Sequence, residues 1–446
     1  MKDEIFLSVI IPAYQAGDYI GKCLDSLRGI TVRKEILIVV DSWEDSTLKA
    51  LEGYLKESGD IRILLNDDKG MSEARNTGMR IARGRYIWFV DADDWICGAF
   101  NEMIWKNLEE YEPEILMFDA GVVNETAQRW NASNYIRKNK IKAGVIFSGA
   151  EFFETCYRKD AYRTPVWLNL FSRAYLERRQ LFFLKDYAHE DEDYTFRALL
   201  PAKRVLYLDE IFYIRRYRDN SAMTSGFHEK QLHDFSRILQ SNAKFIESYQ
   251  TFSLASILVR YLYDRILVLI DRIRLSDSLR KEQWYQETAL WFYGYMEEAS
   301  RRIEDLAFPM LTAEVFLHLR AVMEAFPFEK QEAEVRKKWR GGVKEKIKGR
   351  LKNREGAYLG IYGTGNHTRL LFSVYEEIAC ETRRQLIFID SSKVSHTEKL
   401  EGYDIINIRD SRPDMDIVVS SYFNQNEMRR MLEERNPSGN VITLYV

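Results

Sequence analysis

The sequence is poor in cysteine and carries almost no net charge. Its four cysteines lie far apart, with no spacing typical of a metal site, and this usage favours reduced thiols in a cytoplasmic protein. The formal net charge is −3, so no excess of positive charge points to a nucleic-acid partner. We therefore expect no disulfide framework and no nucleic acid. With 46% hydrophobic and 30% charged residues, the chain is typical of a globular protein.

Long hydrophobic runs are also missing. The most apolar stretch of the second half, residues 254–273, is interrupted by the charged side chains of Arg260, Asp264, Arg265, Asp271 and Arg272. This pattern predicts a buried amphipathic helix rather than a membrane span. The first residues lead almost at once into an apolar run, so we expect no signal peptide. The 446 residues are enough for two or three domains.

Short apolar runs alternate with amphipathic segments over the first 90 residues. Strands are predicted at residues 6–11, 35–40, 61–65 and 86–90, and helices at 17–27, 44–55 and around Arg75. Alternating strands and helices predict a parallel sheet with right-handed crossovers, and therefore an α/β fold.

Acids or a turn follow three of these strands. The turn Pro12–Tyr14 follows the first, Asp41 the second, and Asp91, Asp93 and Asp94 the fourth. The carboxyl ends of parallel strands share one edge of a sheet, where ligands bind. If the backbone stays extended, Asp91 and Asp93 project to one side, and with diphosphate oxygens they would suit Mg²⁺ or Mn²⁺. The alternative is a solvated acidic turn that caps the next helix, and Asp94 is interpreted in this way.

Four motifs together resemble the family 2 glycosyltransferases. They are Val9–Tyr14, the strand that ends at Asp41, Glu73–Gly78 and Asp91–Asp94, in the order and spacing of the family. The resemblance extends to about residue 225. It implies a GT-A fold and an inverting enzyme that takes its sugar from a nucleotide-diphospho-sugar, with a divalent metal ion, Mn²⁺ or Mg²⁺, as cofactor.

The resemblance also implies roles for individual residues. The expected contacts to the nucleotide-sugar are Pro12, Tyr14, Asp41, Arg75, Asp91, Ala92, Arg216 and Arg218. Among them, Asp41 would read the base edge, usually uracil, and Asp91 would face the ribose. Asp93 would bind the metal ion. The chain departs from the family where Val40–Asp41 replaces two adjacent acids and where Gln15 replaces a frequent Asn, and these departures leave the nucleotide open.

A run of four acids, Glu190–Asp193, begins a predicted helix. Acids are favourable at a helix N-terminus, but that effect explains one or two of them rather than four. The resemblance implies that Asp191 is the general base and that Glu190 assists with the acceptor. A carboxylate that removes a sugar hydroxyl proton contributes about 10²–10⁴ in rate, and nearby acids would raise its pKa.

Two further segments complete the predicted catalytic domain. Trp167 and Asn169 would either line a sugar pocket or belong to the core. Arg215, Arg216 and Arg218 follow apolar residues and resemble the family's arginine-rich loop, which closes over the diphosphate through bidentate hydrogen bonds. We expect Arg216 or Arg218, rather than Arg215, to point inward. Two separate strands are predicted in front of them, at residues 204–208 and 212–215.

The rest of the chain predicts two further regions. Residues 226–354 read as helices with a basic linker, whose segment 336–354 is either a solvated helix or a contact to an anionic membrane surface. Residues 355–446 read as a small Rossmann-like α/β domain. Its loop Gly363–Thr368 and its Asp390 lie where phosphate and ribose contacts would fall, although Thr368 replaces the third glycine.

The leading interpretation is a cytoplasmic, metal-dependent inverting glycosyltransferase of cell-surface polysaccharide biosynthesis, with a catalytic domain at residues 1–225. Its donor would be a UDP-sugar, and its acceptor a hydroxyl of a glycan, a lipid-linked precursor or a protein. Self-association is a further hypothesis. One alternative is a nucleotide-binding oxidoreductase or regulatory protein centred on residues 355–446, and another is a non-catalytic assembly protein. The sequence determines neither the sugar nor the acceptor.

Overall fold

The computed structural model describes residues 4–444 with internal gaps. The gaps are residues 67, 98–100, 125–128, 132–134, 186, 218–228, 249–251, 275–281, 303–309, 314, 317–319, 321–328, 353, 355, 365, 392–398, 413–414, 422–424 and 436–439. The chain forms two compact units, Met1–Ile273 and Arg274–Val446. The domain limits at residues 225 and 354 stay predictions. In the part of the chain that is described, no helix is both long enough and apolar enough to cross a membrane.

The first unit contains ten described strands and nine described helices. The strands are β1 (Leu7–Ala13), β2 (Lys34–Val40), β3 (Ile61–Leu65), β4 (Tyr86–Phe89), β5 (Trp95–Ile96), β6 (Ile115–Asn124), β7 (Arg129–Asn131), β8 (Ile146–Phe147), β9 (Asn169–Ser172) and β10 (Val205–Tyr217). The helices are α1 (Ile20–Arg28), α2 (Thr47–Glu57), α3 (Met71–Ile81), α4 (Asn101–Tyr111), α5 (Gly149–Arg158), α6 (Arg173–Arg179), α7 (Glu190–Leu199), α8 (Glu229–Ser248) and α9 (Phe252–Arg274).

The strands of this unit form one mixed sheet in the order β3-β2-β1-β4-β9-β6-β10-β5. The first four pair in parallel, so the predicted α/β alternation is confirmed. Strand β9 then runs antiparallel to both β4 and β6, and β6 pairs in parallel with β10. The carboxyl ends of β1, β2 and β4 therefore share one edge, as the sequence predicts.

Helices cover this sheet because their apolar positions recur on one face. In α1 the buried side chains are Ile20, Cys23, Leu24 and Leu27, the spacing of an amphipathic helix. Helix α3 comes unusually close to β1: a Cβ on Gly78 would lie 2.4 Å from Cγ2 of Ile10. Only a glycine permits this approach, and the approach brings the middle of α3 into the interior.

The segment before the arginines forms one strand rather than two. Strand β10 runs without a break from Val205 to Tyr217, so the prediction of two strands is wrong. Its register against β6 shifts between Tyr207 and Ile211 and again between Ile211 and Tyr213, which is the signature of a β-bulge. A bulge disturbs the alternation of side chains along a strand. In the sequence, this irregularity therefore looks like a gap between two separate strands.

Helices α8 and α9, predicted as a separate helical region, belong almost entirely to the first unit. The run 254–273 is a buried amphipathic helix as predicted, with a buried face that includes Leu258, Leu262 and Ile266. Its polar residues also have partners within the unit: the hydroxyl of Tyr157 on α5 donates a hydrogen bond of 2.5 Å to Asp264.

The second unit contains a smaller sheet in the order β13-β14-β12-β11-β15-β16. Its strands are β11 (Tyr358–Tyr362), β12 (Gln385–Asp390), β13 (Lys399–Leu400), β14 (Tyr403–Asn407), β15 (Met415–Val419) and β16 (Asn440–Thr443), and its described helices include α10 (Gln283–Arg302), α11 (Glu329–Leu351), α12 (Asn366–Thr382) and α13 (Gln425–Arg435). All pairs except β13–β14 are parallel. A mostly parallel sheet of this kind agrees with the predicted Rossmann-like α/β domain.

The basic segment 336–354 lies mostly in α11 and is more than a linker. Helix α11 buries Trp339, Val343 and Ile347. On its polar side, the ammonium of Lys344 lies 2.7 Å from Glu377 and 2.8 Å from Glu381 of α12. These cations are therefore partly neutralised within the unit, and membrane contact through this segment stays a prediction.

Candidate active site

A cavity of about 450 Å³ opens at the carboxyl edge of β1, β2 and β4. The predicted site residues that line it are Pro12, Tyr14, Asp41, Asp91, Ala92, Asp93 and Arg216. Arg75 is not part of this lining, and Arg218 lies outside the described residues. The lining also includes Met71, which sequence reasoning missed. Tyr14 and Met71 are 69% and 51% exposed, so they offer the cavity apolar surface of the kind that suits a flat ring.

Asp41, directly after β2, is hydrogen-bonded to residues just before α3. Its carboxylate accepts hydrogen bonds from Nδ2 of Asn66 at 2.7 Å and from the backbone N–H of Gly70 at 3.2 Å. Gly70 has φ 107°, a conformation that favours glycine. The carboxylate is thereby fixed in place on the cavity wall.

Residues 91–94 form a turn rather than an extension of β4. Strand β4 ends at Phe89, and the backbone N–H of Asp94 donates to the carbonyl of Asp91 at 3.1 Å. Asp91 and Asp93 both line the cavity. The extended backbone that would place both acids on one side of a strand is therefore absent at residues 91–94, although the two residues border the same cavity.

Asp94 does not cap a helix. It is 3% exposed and accepts hydrogen bonds of 2.7 Å from the hydroxyl of Tyr213 and from the backbone N–H of Arg216. Burial, followed by the charges of Asp91 and Asp93, raises its pKa well above the ordinary value. Helix α4 begins only at Asn101, so Asp94 instead fixes the end of β10 against the acidic turn.

Arg216 lies on the cavity wall. Its Nε donates to the carbonyl of Asp93 at 2.8 Å, and its guanidinium lies 4.9 Å from the ring of Tyr19 and 5.3 Å from that of Trp95. Arg215 also borders the cavity, but its guanidinium lies over the ring of Tyr135 and donates a hydrogen bond to the hydroxyl of that residue. Both arginines lie at this edge because β10 ends there.

Arg75 forms ion pairs with three carboxylates. Its Nη2 lies 3.1 Å from Asp91, and its Nη1 is hydrogen-bonded to Glu190 and lies 3.4 Å from Asp191. The side chain is only 1% exposed. Burial raises the pKa of Asp191, and Glu190 and Asp91 raise it further, whereas the charge of Arg75 lowers it.

The four acids of α7 divide into two pairs. Glu190 and Asp191 contact Arg75, as above. Glu192 instead pairs with Arg265 of α9 and accepts a hydrogen bond of 3.1 Å from Tyr261. Asp193 is bound by Arg197 of its own helix and by Ser241 of α8. Sequence reasoning missed the second pair's role, since all its partners except Arg197 lie on helices assigned to another domain.

Trp167 and Asn169 belong to the core. Trp167 is 4% exposed and stacks on Tyr213 at 4.5 Å between ring centroids. Asn169 is fully buried and donates to the carbonyl of Pro165 at 3.1 Å. Of the two open alternatives, the core interpretation therefore holds.

The donor set fits a divalent cation that is shared with a substrate. Among the described residues, no group of three or more His, Cys, Asp or Glu side chains is arranged to hold a metal ion. Mg²⁺ commonly binds one or two carboxylates together with water and substrate phosphates, rather than a cage of protein ligands. Asp93 lines the cavity and could supply such a ligand.

The N-terminal part of the chain matches a known family. Residues 8–163 match the model of "Glycosyl transferase family 2". The chain is 33% identical over 221 residues to the uncharacterized glycosyltransferase EpsJ of Bacillus subtilis, a match that covers 48% of this chain and 62% of EpsJ. It is 24% identical over 308 residues to the poly(ribitol-phosphate) beta-glucosyltransferase of Bacillus spizizenii, covering 66% of this chain and 46% of that protein. The chain thus spans less than two thirds of either relative.

A solved structure shares the fold. Residues 1–349 of S. aureus TarS, in complex with UDP-GlcNAc, match with a TM-score of 0.52 at 18% identity, covering 71% of this chain and 89% of that chain. The first unit therefore has the GT-A fold, and residues 8–163 within it match the family 2 glycosyltransferase model. The resemblance seen in the sequence motifs is confirmed.

Proposed function

We propose that this protein is an inverting glycosyltransferase that moves a sugar from a nucleotide-diphospho-sugar to an acceptor hydroxyl. One observation carries the proposal: a single buried guanidinium, that of Arg75, contacts both Asp91 on the cavity wall and the pair Glu190 and Asp191. A candidate proton acceptor thus stands beside a cavity that could hold the donor.

The chemistry follows from these positions. Asp191 takes the proton of the acceptor hydroxyl while the hydroxyl oxygen attacks the anomeric carbon, and Glu190 assists in placing the acceptor. The bond from that carbon to the diphosphate oxygen breaks as the new carbon–oxygen bond forms, and a nucleoside diphosphate leaves. Because the attack comes from the side opposite the leaving group, the anomeric configuration inverts. The general base accounts for about 10²–10⁴ of the rate.

The diphosphate would be held from two sides. Arg216 would bind its oxygens through the planar guanidinium, a geometry that matches phosphate. Asp93 would hold a divalent cation, Mg²⁺ or Mn²⁺, whose charge stabilises the departing diphosphate when it is bound. The apolar surface of Tyr14 and Met71 would accommodate the nucleobase, with Asp41 at its edge.

The donor and acceptor classes are also proposals. A UDP-sugar is supported by the structural likeness to TarS, which was crystallised with UDP-GlcNAc. A hydroxyl of a cell-surface glycan, a lipid-linked precursor or a protein is the proposed acceptor, and a relative that acts on poly(ribitol-phosphate) supports the first of these. The cytoplasmic location and self-association stay predictions.

The alternative function, centred on the second unit, gains less support. Its predicted ribose contact, Asp390, accepts a hydrogen bond of 2.6 Å from Thr364 of its own loop. One oxygen of the Asp390 carboxylate is thus already hydrogen-bonded within the protein, which leaves less of the carboxylate to bind the ribose of a nucleotide. Oxidoreductase or regulatory activity stays a prediction.

A donor screen tests the proposed function. The purified chain is incubated with UDP-, GDP-, ADP- and dTDP-sugars and Mn²⁺, and released nucleoside diphosphate is measured alongside any NAD that co-purifies. We expect turnover of a UDP-sugar that stops with EDTA, and a product of inverted configuration by NMR. A retained configuration would contradict the mechanism. Bound NAD without turnover of any donor would favour the alternative.

A further inference from the structure

The arginine of the family motif does not face the cavity in this protein. Arg75 lies on α3, which the missing side chain of Gly78 lets approach β1 closely. Its guanidinium is 1% exposed and lies 5.3 Å from the ring of Phe183. Met71 and Ala74 of the same helix line the cavity, whereas Arg75 does not. A direct contact with the nucleotide-sugar, the role implied by the family resemblance, therefore does not match its position.

Arg75 instead contacts carboxylates from two different elements, the turn after β4 and the start of α7. One, Asp91, belongs to the turn after β4 and lines the cavity. The other two, Glu190 and Asp191, begin α7 and lie 115 and 116 residues after Arg75 in the chain. A planar guanidinium can donate hydrogen bonds along two edges at once. The orientation of Arg75 therefore fixes the turn after β4 and the start of α7 relative to each other.

We propose that Arg75 is a positioning residue that holds the general base Asp191 in register with the donor cavity. This inference rests on the proposed function. Its basis is the three ion pairs of one buried side chain, which link the donor edge of the sheet to the catalytic helix without touching the space for the donor.

The charges around Asp191 support this role. The groups that act on its carboxylate are Arg75 from α3, Glu190 from its own helix, Asp91 from the turn after β4 and the backbone N–H of Val166, 3.4 Å away. Arg75 is the cation in this set. Burial and the two acids raise the pKa of Asp191, so loss of Arg75 would raise it further.

The test compares R75M and R75K with the unaltered chain. The measurements are the pH profile of kcat/KM for the donor and the affinity for UDP by calorimetry. An opposite charge close to a carboxyl lowers its pKa by about 1–3, so R75M should move the acid limb of the profile up by about 1–3 pH units. Below that limb, Asp191 is protonated and activity is lost. UDP affinity should hardly change, because Arg75 does not line the cavity.

R75K separates charge from geometry. Lysine keeps the positive charge but lacks the planar fork, so the acid limb should stay close to its original pH while kcat falls by about 10², the cost of a misplaced catalytic group. This variant also keeps the test valid if R75M fails to fold. Arg80 provides the matched control: it lies on the same helix and pairs with the buried Glu73 at 2.6 Å, so R80M should leave the profile unchanged.

The outcomes are distinct. An R75M or R75K protein that loses UDP binding while its acid limb stays in place would overturn the proposal and make Arg75 a donor ligand. An R80M protein with the same shifted limb as R75M would also overturn it, since the effect would then be structural. If D191N keeps full activity, the proposed function fails at Asp191 regardless of what Arg75 does. A dead D191N protein beside an unshifted R75M profile refutes only the positioning role.

Discussion

Two sheet edges in this chain share a layout and differ in chemistry. In each unit, a loop follows the first strand of a parallel group and an acid lies at the carboxyl end of the next strand: Asp41 directly after β2 in the first unit and Asp390 as the last residue of β12 in the second. In the first unit, a cavity lies at this edge and further acids and arginines converge on it. In the second unit, the loop itself donates to the acid through Thr364.

The difference shows that strand order alone does not make a catalytic site. The first edge gains its chemistry from elements outside the parallel group, since β10 brings Arg216 and α7 brings Asp191. Both are anchored there by buried partners, Asp94 for β10 and Arg75 for α7.

The largest effect is expected from D191N. Transfer should fall by about 10²–10⁴, because the amide cannot take the acceptor proton, whereas UDP affinity should remain nearly unchanged. Activity and calorimetric titration measure the two quantities. The matched control is E192Q on the same helix, because Glu192 contacts α9 rather than Arg75. Equal losses in both variants would mean that the helix, rather than the base, had been disturbed.

The next effect is expected from D93A. Transfer at saturating Mn²⁺ should fall by about 10² or more, because a bound cation contributes several kcal/mol to stabilising the departing charge. Independently of activity, UDP should bind the unaltered chain more tightly with Mn²⁺ than with EDTA, and D93A should abolish this difference. Metal-enhanced UDP binding that persists in D93A would assign the metal to another ligand.

A smaller effect, on stability, is expected from D94N. The amide cannot accept both hydrogen bonds that Asp94 receives from Tyr213 and Arg216, and one unsatisfied buried group costs about 1–3 kcal/mol. Urea unfolding gives the loss in free energy, and the KM for the donor should rise as Arg216 loosens. D209N is the control, since Asp209 is a half-exposed β10 residue paired with Lys138. An unaltered urea midpoint in D94N would show that Asp94 does not anchor β10.

The smallest effect is expected from D390N in the second unit. Transfer should not change, and the lost hydrogen bond from Thr364 should cost at most about 1 kcal/mol. The donor assay and thermal unfolding provide the readouts. A large loss of transfer in D390N would break the comparison, because the second edge would then take part in the reaction.

The sequence predicted much of the first unit. The alternation of strands and helices was sufficient because each β-branched run and each amphipathic face is a local pattern. Asp41, Asp91 and Asp93 were found in this way, since acids after parallel strands must meet at one edge. The β-bulge in β10 was missed because it depends on pairing with β6, which no local pattern encodes.

The acids show where local patterns stop. Asp94 and Glu192 look like their neighbours in the sequence, as members of acidic runs at the ends of strands or helices. In the fold, Asp94 accepts a hydrogen bond from the backbone of β10, and Glu192 forms an ion pair with Arg265 of α9. Their roles depend on partners rather than on residue type, so a run of acids could not reveal which members face the cavity.

By itself, the sequence determined the α/β class, the resemblance to a family and the edge at which the site lies, because hydrophobic periodicity and motif spacing are properties of neighbouring residues. Only the tertiary structure decided that Arg75 holds Asp191 and Glu190, whose positions are 116 and 115 residues further along the chain. An ion pair forms wherever packing brings opposite charges together in a site shielded from water, and that placement is set by how α3 packs on β1 and how α7 begins.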